Sequence, residues 1–173
     1  LDAMIGTLSH RGPDGRGTWV DGPVGLAHAR LAIIDPEGGA QPMGSADGRV
    51  QLVFNGEIFN YIELREELRR AGHCFTTDSD TEVLLHAYQA WGDDFLSRLN
   101  GQFALGLWDG PRQRLLLARD GVGIRPLFWT RVGHRLAFAS EAKALFALPE
   151  VPRGLDPAGL AATFGWWAPL APH

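Results

Sequence analysis

Arg30, the tripeptide Asn55-Gly56-Glu57 and Asp80 are the residues whose types and surroundings could do chemistry together. A zwitterionic amino acid needs a guanidinium for its α-carboxylate, because the planar fork of arginine pairs two oxygens at once. Its ammonium needs an acceptor, usually a carboxylate. A side-chain amide under nucleophilic attack needs donors aimed at the oxyanion that develops, and losing one such donor costs about 3–4 kcal/mol. Arg30 lies in the apolar run LAHARLAIID, where an isolated charge requires a partner. Asn55-Gly56 follows VQLVF, so a side-chain amide and an adjacent N–H can converge at a strand end. Asp80 opens a helix, flanked by Asp78 and Ser79. Each also has a plainer use: Arg30 in a structural ion pair, Asn55-Gly56 in a hairpin turn, Asp80 as a helix cap. Residue type and spacing leave both uses open.

The elements that must position these residues follow from turn and periodicity signals. Residues 17–34 read as two strands joined at the turn DGP, and 50–54 as a strand ending at Asn55-Gly56. A first helix is marked by Asn60 with Glu63, by Leu64 and Leu68 on one face, and by Gly72 as its stop. A second is marked by Ser79 with Glu82 and runs to Gly92. The amphipathic stretch DDFLSRL leads to a strand at 102–108, which turns at Gly110-Pro111 into a return strand at 114–118. Further strands are predicted at 126–131 and 135–139, and helices at 141–147 and after Asp156-Pro157. GWWAPLAPH then reads as a linker. Helices fall between groups of strands, so the strands should be largely antiparallel.

Composition narrows the field. The 173 residues suit one domain, and a 45% apolar and 21% charged make-up is that of an ordinary globular protein. The net charge of −4 argues against a nucleic-acid partner. No apolar run is long enough to cross a bilayer. The single cysteine, Cys74, cannot form an internal disulfide, which fits a cytoplasmic setting, and it reads as a small, partly buried packing residue. None of the six histidines stands at metal-ligand spacing. Trp91, Phe95, Phe103 and Trp108 read as core, whereas Trp166 and Trp167 are candidates to face a partner domain.

Eight strings occur in one order: HRGPDG, RLAIID, GAQPM, FNGEIFNY, SDTEVLLHAY, NGQFALGLWD, RDGVGIRPLFW and FASEAKAL. Together they resemble the amino-terminal glutaminase domain of glutamine-dependent asparagine synthetases. These are class II amidotransferase domains of the N-terminal nucleophile hydrolase fold. The resemblance implies an α+β, four-layer αββα sandwich of two mostly antiparallel sheets. It implies that Arg30 pairs with the α-carboxylate of L-glutamine and that backbone groups of Leu31, Ala32, Ile33 and Ile34 line the same wall. Asn55, through its side chain, and Gly56, through its N–H, are similar to the family's oxyanion hole, and Glu57 and Asp80 to the residues that hold the α-amino group. At a helix start, Asp80 is expected to stay ionised.

In this family the nucleophile is an amino-terminal cysteine whose own α-amine is the base. Leu1 cannot replace it. The expectation is therefore that residues 1–155 are a glutaminase domain without its first strand and nucleophile, inactive by itself. Residues 156–173 would begin the connection to a carboxy-terminal synthetase domain. The resemblance assigns no cofactor to the glutaminase domain; ATP and Mg²⁺ belong to the synthetase domain, which amidates aspartate. It also allows a homodimer. Cysteine-less relatives, the β-lactam synthetases and lasso-peptide cyclases, offer a second reading as a non-catalytic scaffold. Gly121 and Arg125 depart from the family's usual residues, in a loop expected to lie toward the second domain.

Overall fold

The computed structural model describes residues 1–167, so most of the expected linker lies outside the described residues. The order of elements is α1 (Asp2–Gly6), β1 (Gly15–Asp21), β2 (Val24–Arg30), β3 (Met43–Gly44), β4 (Val50–Ile58), α2 (Tyr61–Arg70), α3 (Asp80–Trp91), a 3₁₀ helix (Gly92–Arg98), β5 (Gly101–Asp109), β6 (Arg114–Arg119), β7 (Phe128–Val132), β8 (Arg135–Ala139), α4 (Ala142–Leu145) and α5 (Pro157–Trp166). Every strand pairing is antiparallel, as expected.

The four-stranded sheet β3-β4-β5-β6 is the middle of the molecule. Alternate residues of a strand face opposite ways, and both faces of β4 and β5 are covered. Leu52, Phe54, Ile58, Leu105 and Leu107 meet Leu64 and Leu68 of α2 and Val83, Leu84 and Ala87 of α3. On the other face, Val53 and Trp108 meet Leu26 and Trp19 of the hairpin β1-β2 and Phe138 of β8. Behind β8, Ala144 and Leu145 of α4 pack with Met4 and Leu8 from α1 and the turn after it. The layers are thus helix, sheet, sheet, helix, the second sheet layer being two separate hairpins. Of the expected aromatic core, Phe95 and Phe103 are buried with the helices, Trp108 is buried on the opposite face, and Trp91 packs half-buried at the edge.

Gly72 (φ 94°) and Gly92 (φ 56°) end α2 and α3 in backbone conformations that favour glycine. Four local readings are corrected. Strand β2 stops at Arg30, because the Asp14 carboxylate takes the Ala32 N–H at 2.9 Å and Asp35 (φ 47°) then turns the chain away. Strand β4 does not end at Asn55-Gly56; it continues to Ile58, since β5 supplies partners for each residue (Asn55 with Ala104, Gly56 with Phe103). Neither capping box closes. Asn60 instead accepts from Asn100 N–H and donates to Arg98 C=O, and Glu82 reaches back to the N–H and hydroxyl groups of Thr76 and Thr77. Cys74 is exposed rather than packed, because its loop leaves the core after α2. Two short elements, α1 and β3, carry no clear sequence signal.

The loop after β6 is held by one buried carboxylate. Asp120 accepts N–H groups of Phe103, Val122, Ile124 and Arg125 at 2.9–3.2 Å. Burial pushes its pKa up, but the donors of Ile124, Arg125 and Phe103 outweigh burial and hold it at about 2. Its ionised form is therefore favoured in the folded chain, and that stabilisation is complete above pH ~4 and lost as pH falls through ~2. Urea unfolding of the chain and of Asp120→Asn is expected to show a stability gap at pH 7 that closes toward pH 2. A gap independent of pH would refute this account.

Candidate functional site

A cavity of about 1120 Å³ lies between the sheet layers, lined by all of β2 and β8, by Val53–Glu57, by Ala104–Gly106 and by the start of α3. Arg30, Leu31, Ile33, Ile34, Asn55, Gly56, Glu57 and Asp80 all border it. Ala32 does not; its N–H is the one held by Asp14.

Arg30 ends β2 with its guanidinium fixed by backbone carbonyls: Nη1 donates to Pro36 O (2.5 Å), Nη2 to Asp35 O (2.6 Å) and, longer, to Ile34 O (3.4 Å). These acceptors are neutral. Among the described residues no carboxylate forms an ion pair with Arg30. The structural ion pair that was the plainer reading of this residue is therefore not made. His28, two residues earlier on the same face of β2, is also in the wall. Burial lowers its pKa to about 4, helped by the charge of Arg30, so the imidazole is neutral at pH 7.

Elsewhere on the cavity wall the charges are negative. Asp80 is 4% exposed and accepts from the Ile58 N–H at 3.2 Å. The N-cap of α3 is Ser79, whose hydroxyl accepts from Thr81 N–H, so Asp80 is not spent on capping. Burial raises its pKa, against the pull of the Ile58 and Thr81 N–H groups, and the nearby Glu57 charge raises it further. The helix start thus does not dominate as expected from the sequence; desolvation does. Neither Asp80 nor Glu57 has a cationic partner among the described residues. Two neighbouring carboxylates, one of them buried, are costly unless a cation joins them.

The same cavity wall carries hydrogen-bond donors. Asn55 Nδ2 is buried and has no hydrogen-bond partner among the described residues, a state that costs about 1–3 kcal/mol. Along β4 the N–H groups alternate in direction. Phe54 N–H goes to the Gln41 side chain and Ile58 N–H to Asp80, both away from β5. The Gly56 N–H between them therefore points the same way, beside Asn55. A side chain at position 56 would put its Cβ 2.1 Å from Gln102 O, so glycine is required by the close approach of β5. The arrangement suits an α-amino acid: cation for the carboxylate, anions for the ammonium, and two donors for an oxygen on the side chain.

Two contributors went unread at the sequence level. Gln41 stands in the string GAQPM, quoted above without a role, and Asp35 accepts from Gly38 and Asp78 N–H groups, joining the Arg30 loop to the turn before α3. Cys74 is not among the residues lining the cavity. Among the described residues no group of three or more His, Cys, Asp or Glu could hold a metal ion.

The family model "Glutamine amidotransferase domain" matches residues 1–172. Asparagine synthetase [glutamine-hydrolyzing] 3 of Bacillus subtilis (strain 168) is 44% identical over 167 residues, which is 95% of this chain and 27% of that protein. Asparagine synthetase [glutamine-hydrolyzing] 1 of the same organism is 48% identical over 145 residues, 84% of this chain and 23% of that protein. The chain thus spans about a quarter of the length of these curated relatives. Among solved structures, the glutamine phosphoribosylpyrophosphate amidotransferase from B. subtilis complexed with ADP and GMP superposes with a TM-score of 0.72. It is 26% identical and covers 90% of this chain and 42% of that one. The fold is the α+β sandwich of the N-terminal nucleophile hydrolase amidotransferases, and the chain belongs to the glutamine amidotransferase domain family, homologous to the glutaminase domains of asparagine synthetases.

Proposed function

We propose that this chain is the glutamine-hydrolysing part of an asparagine synthetase, and that the cavity holds L-glutamine. Arg30 takes the α-carboxylate, Glu57 and Asp80 take the ammonium, and Leu31, Ile33 and Ile34 line the wall beside Arg30. The observation that carries the reading is the set of unpaired groups on one cavity: Asn55 Nδ2 without an acceptor, Arg30 without a carboxylate, and Asp80 without a cation. Asn55 and Asp80 are costly as they stand, Arg30 carries a charge that no ion pair among the described residues neutralises, and a single amide-bearing zwitterion satisfies all three.

The nucleophile in this reading is an amino-terminal cysteine on a strand upstream of Leu1. Among the described residues strands β2 and β8 each have a single hydrogen-bonded neighbour, and every residue of both borders the cavity, which is larger than one amino acid needs. An additional strand between them fits that geometry. The cysteine sulfur attacks the amide carbon while its α-amine, a base with a pKa near neutrality, takes the thiol proton. Asn55 and Gly56 stabilise the oxyanion. Collapse expels the amide nitrogen, protonated by the α-amine, as ammonia and leaves a thioester, which water hydrolyses to glutamate. The ammonia passes to a carboxy-terminal synthetase domain of the same protein, where ATP and Mg²⁺ activate aspartate. The cytoplasmic location and homodimer implied by the family resemblance accompany this reading. Trp166 and Trp167, 70% and 95% exposed, are available to that domain.

The test is the intact mass and amino-terminal sequence of the mature full-length protein, together with release of glutamate from glutamine. A terminal cysteine with glutaminase activity is the expected result. Another terminal residue with no glutamate release would overturn the reading in favour of the scaffold role.

A further inference from the structure

We infer that Gln41 is a positioning residue that locks the oxyanion donors and the ammonium acceptor into one frame through Thr81. This rests on the glutaminase reading above. Strand β3 pairs with β4 at Leu52 and Gln51, so beyond Leu52 that edge of β4 has no strand partner among the described residues. Two side chains replace it. Gln41 Oε1 accepts the Phe54 N–H at 2.6 Å, and Asp80 Oδ2 accepts the Ile58 N–H at 3.2 Å. Because a backbone N–H can meet only the oxygen of the Gln41 amide, the amide's orientation is set, and its nitrogen points the other way. There Nε2 donates to the hydroxyl of Thr81 at 3.3 Å.

The result is a closed ring. It runs from Gln41 to Phe54, along β4 to Ile58, across to Asp80, on to Thr81 and back to Gln41. Enclosed on the strand side are Asn55, Gly56 and Glu57, the residues that meet the amide oxygen and the ammonium. A single rung, Asp80 to Ile58, would let the first turn of α3 pivot about that contact. The second rung removes the pivot and so fixes the span between Asp80 and the oxyanion donors. Thr81 is 2% exposed and its hydroxyl has no other hydrogen bond among the described residues, so the rung has no competitor. Gln41 and Thr81 also border the cavity, and misplacing a reacting group by about 1 Å can cost about 10²-fold in rate, which is why this contact in the cavity wall acts on both kcat and KM.

The experiment uses the full-length protein, with glutamate release as the readout and thermal unfolding as the control for folding. Gln41→Met keeps the length of the side chain without its hydrogen bonds, and Thr81→Val removes the hydroxyl alone. Each is expected to lower kcat/KM for glutamine about tenfold, the size of one lost hydrogen bond to a buried group. The double variant should fall no further than Gln41→Met, because Thr81 acts through Gln41. Thr81→Ser, which restores the hydroxyl, should recover the loss seen in Thr81→Val. Additive losses in the double variant, or kcat and KM unchanged in folded Gln41→Met, overturn the inference. A wild-type protein that releases no glutamate refutes the glutaminase reading itself, which is a separate result.

Discussion

Asn55→Ala in the full-length protein is expected to lower kcat for glutamine hydrolysis by roughly 10²–10³, with KM little changed. The physical reason is the state of Asn55 Nδ2, buried in the cavity wall without an acceptor. In the ground state the amide oxygen of glutamine is neutral and draws little from a donor. In the transition state that oxygen carries a negative charge, and a fixed donor in a site shielded from water then contributes most. Truncation removes this differential interaction and leaves Arg30 and Asp80 to bind substrate as before. Asn55→Asp should be at least as damaging, since it replaces a donor by an anion facing the oxyanion. The main chain of β4 at this point is held by its pairing with Ala104, so both variants should fold, and a thermal melt checks it. Turnover unaffected in a folded Asn55→Ala protein would remove this residue from the oxyanion hole.

Gln41 shows where reading from the chain ran out. The residues proposed to touch substrate belong to motifs whose types announce a chemistry: an arginine amid apolar neighbours, an Asn-Gly pair, an aspartate at a helix start. Gln41 announces none, because its use depends on a strand edge left open by the shortness of β3, and that is a property of pairing between segments. The same limit explains the misread end of β4. Asn55-Gly56 has the local signature of a turn, but β5 supplies a ladder through it and requires glycine for its own close approach. Helices α2 and α3 were legible in type and extent because their apolar faces and terminal glycines are local. Their caps were not, since Asn60 and Glu82 are drawn off by Asn100 and by Thr76 and Thr77. Asp80 was placed correctly in the cavity, yet the direction of its pKa shift was not legible: the chain shows a helix start, whereas burial against β4 is the largest influence and raises it.

Arg30→Ala is expected to act on the other kinetic constant, raising KM for glutamine about 100-fold while kcat at saturation falls far less. A bidentate, charge-assisted contact to a carboxylate is about twice as strong as a neutral hydrogen bond and is made equally in ground and transition states, so its loss appears as uniform binding. What makes the prediction specific is how Arg30 is held. Its two terminal nitrogens each give a proton to loop carbonyls, at Pro36 and Asp35, which orient the planar head without neutralising it. A guanidinium with neutral supports retains its full charge for a ligand. Arg30→Lys should therefore recover only part of the loss, because a lysine ammonium offers a point charge on a shorter reach and cannot keep both loop contacts while pairing two carboxylate oxygens. The loop of residues 34–36 would also lose its support, so the lysine variant separates charge from shape: partial recovery of KM assigns the remainder to the fork. Unchanged glutamine saturation in Arg30→Ala would sink the carboxylate-anchor role and return Arg30 to a purely structural one, bracing the end of β2 against its own loop.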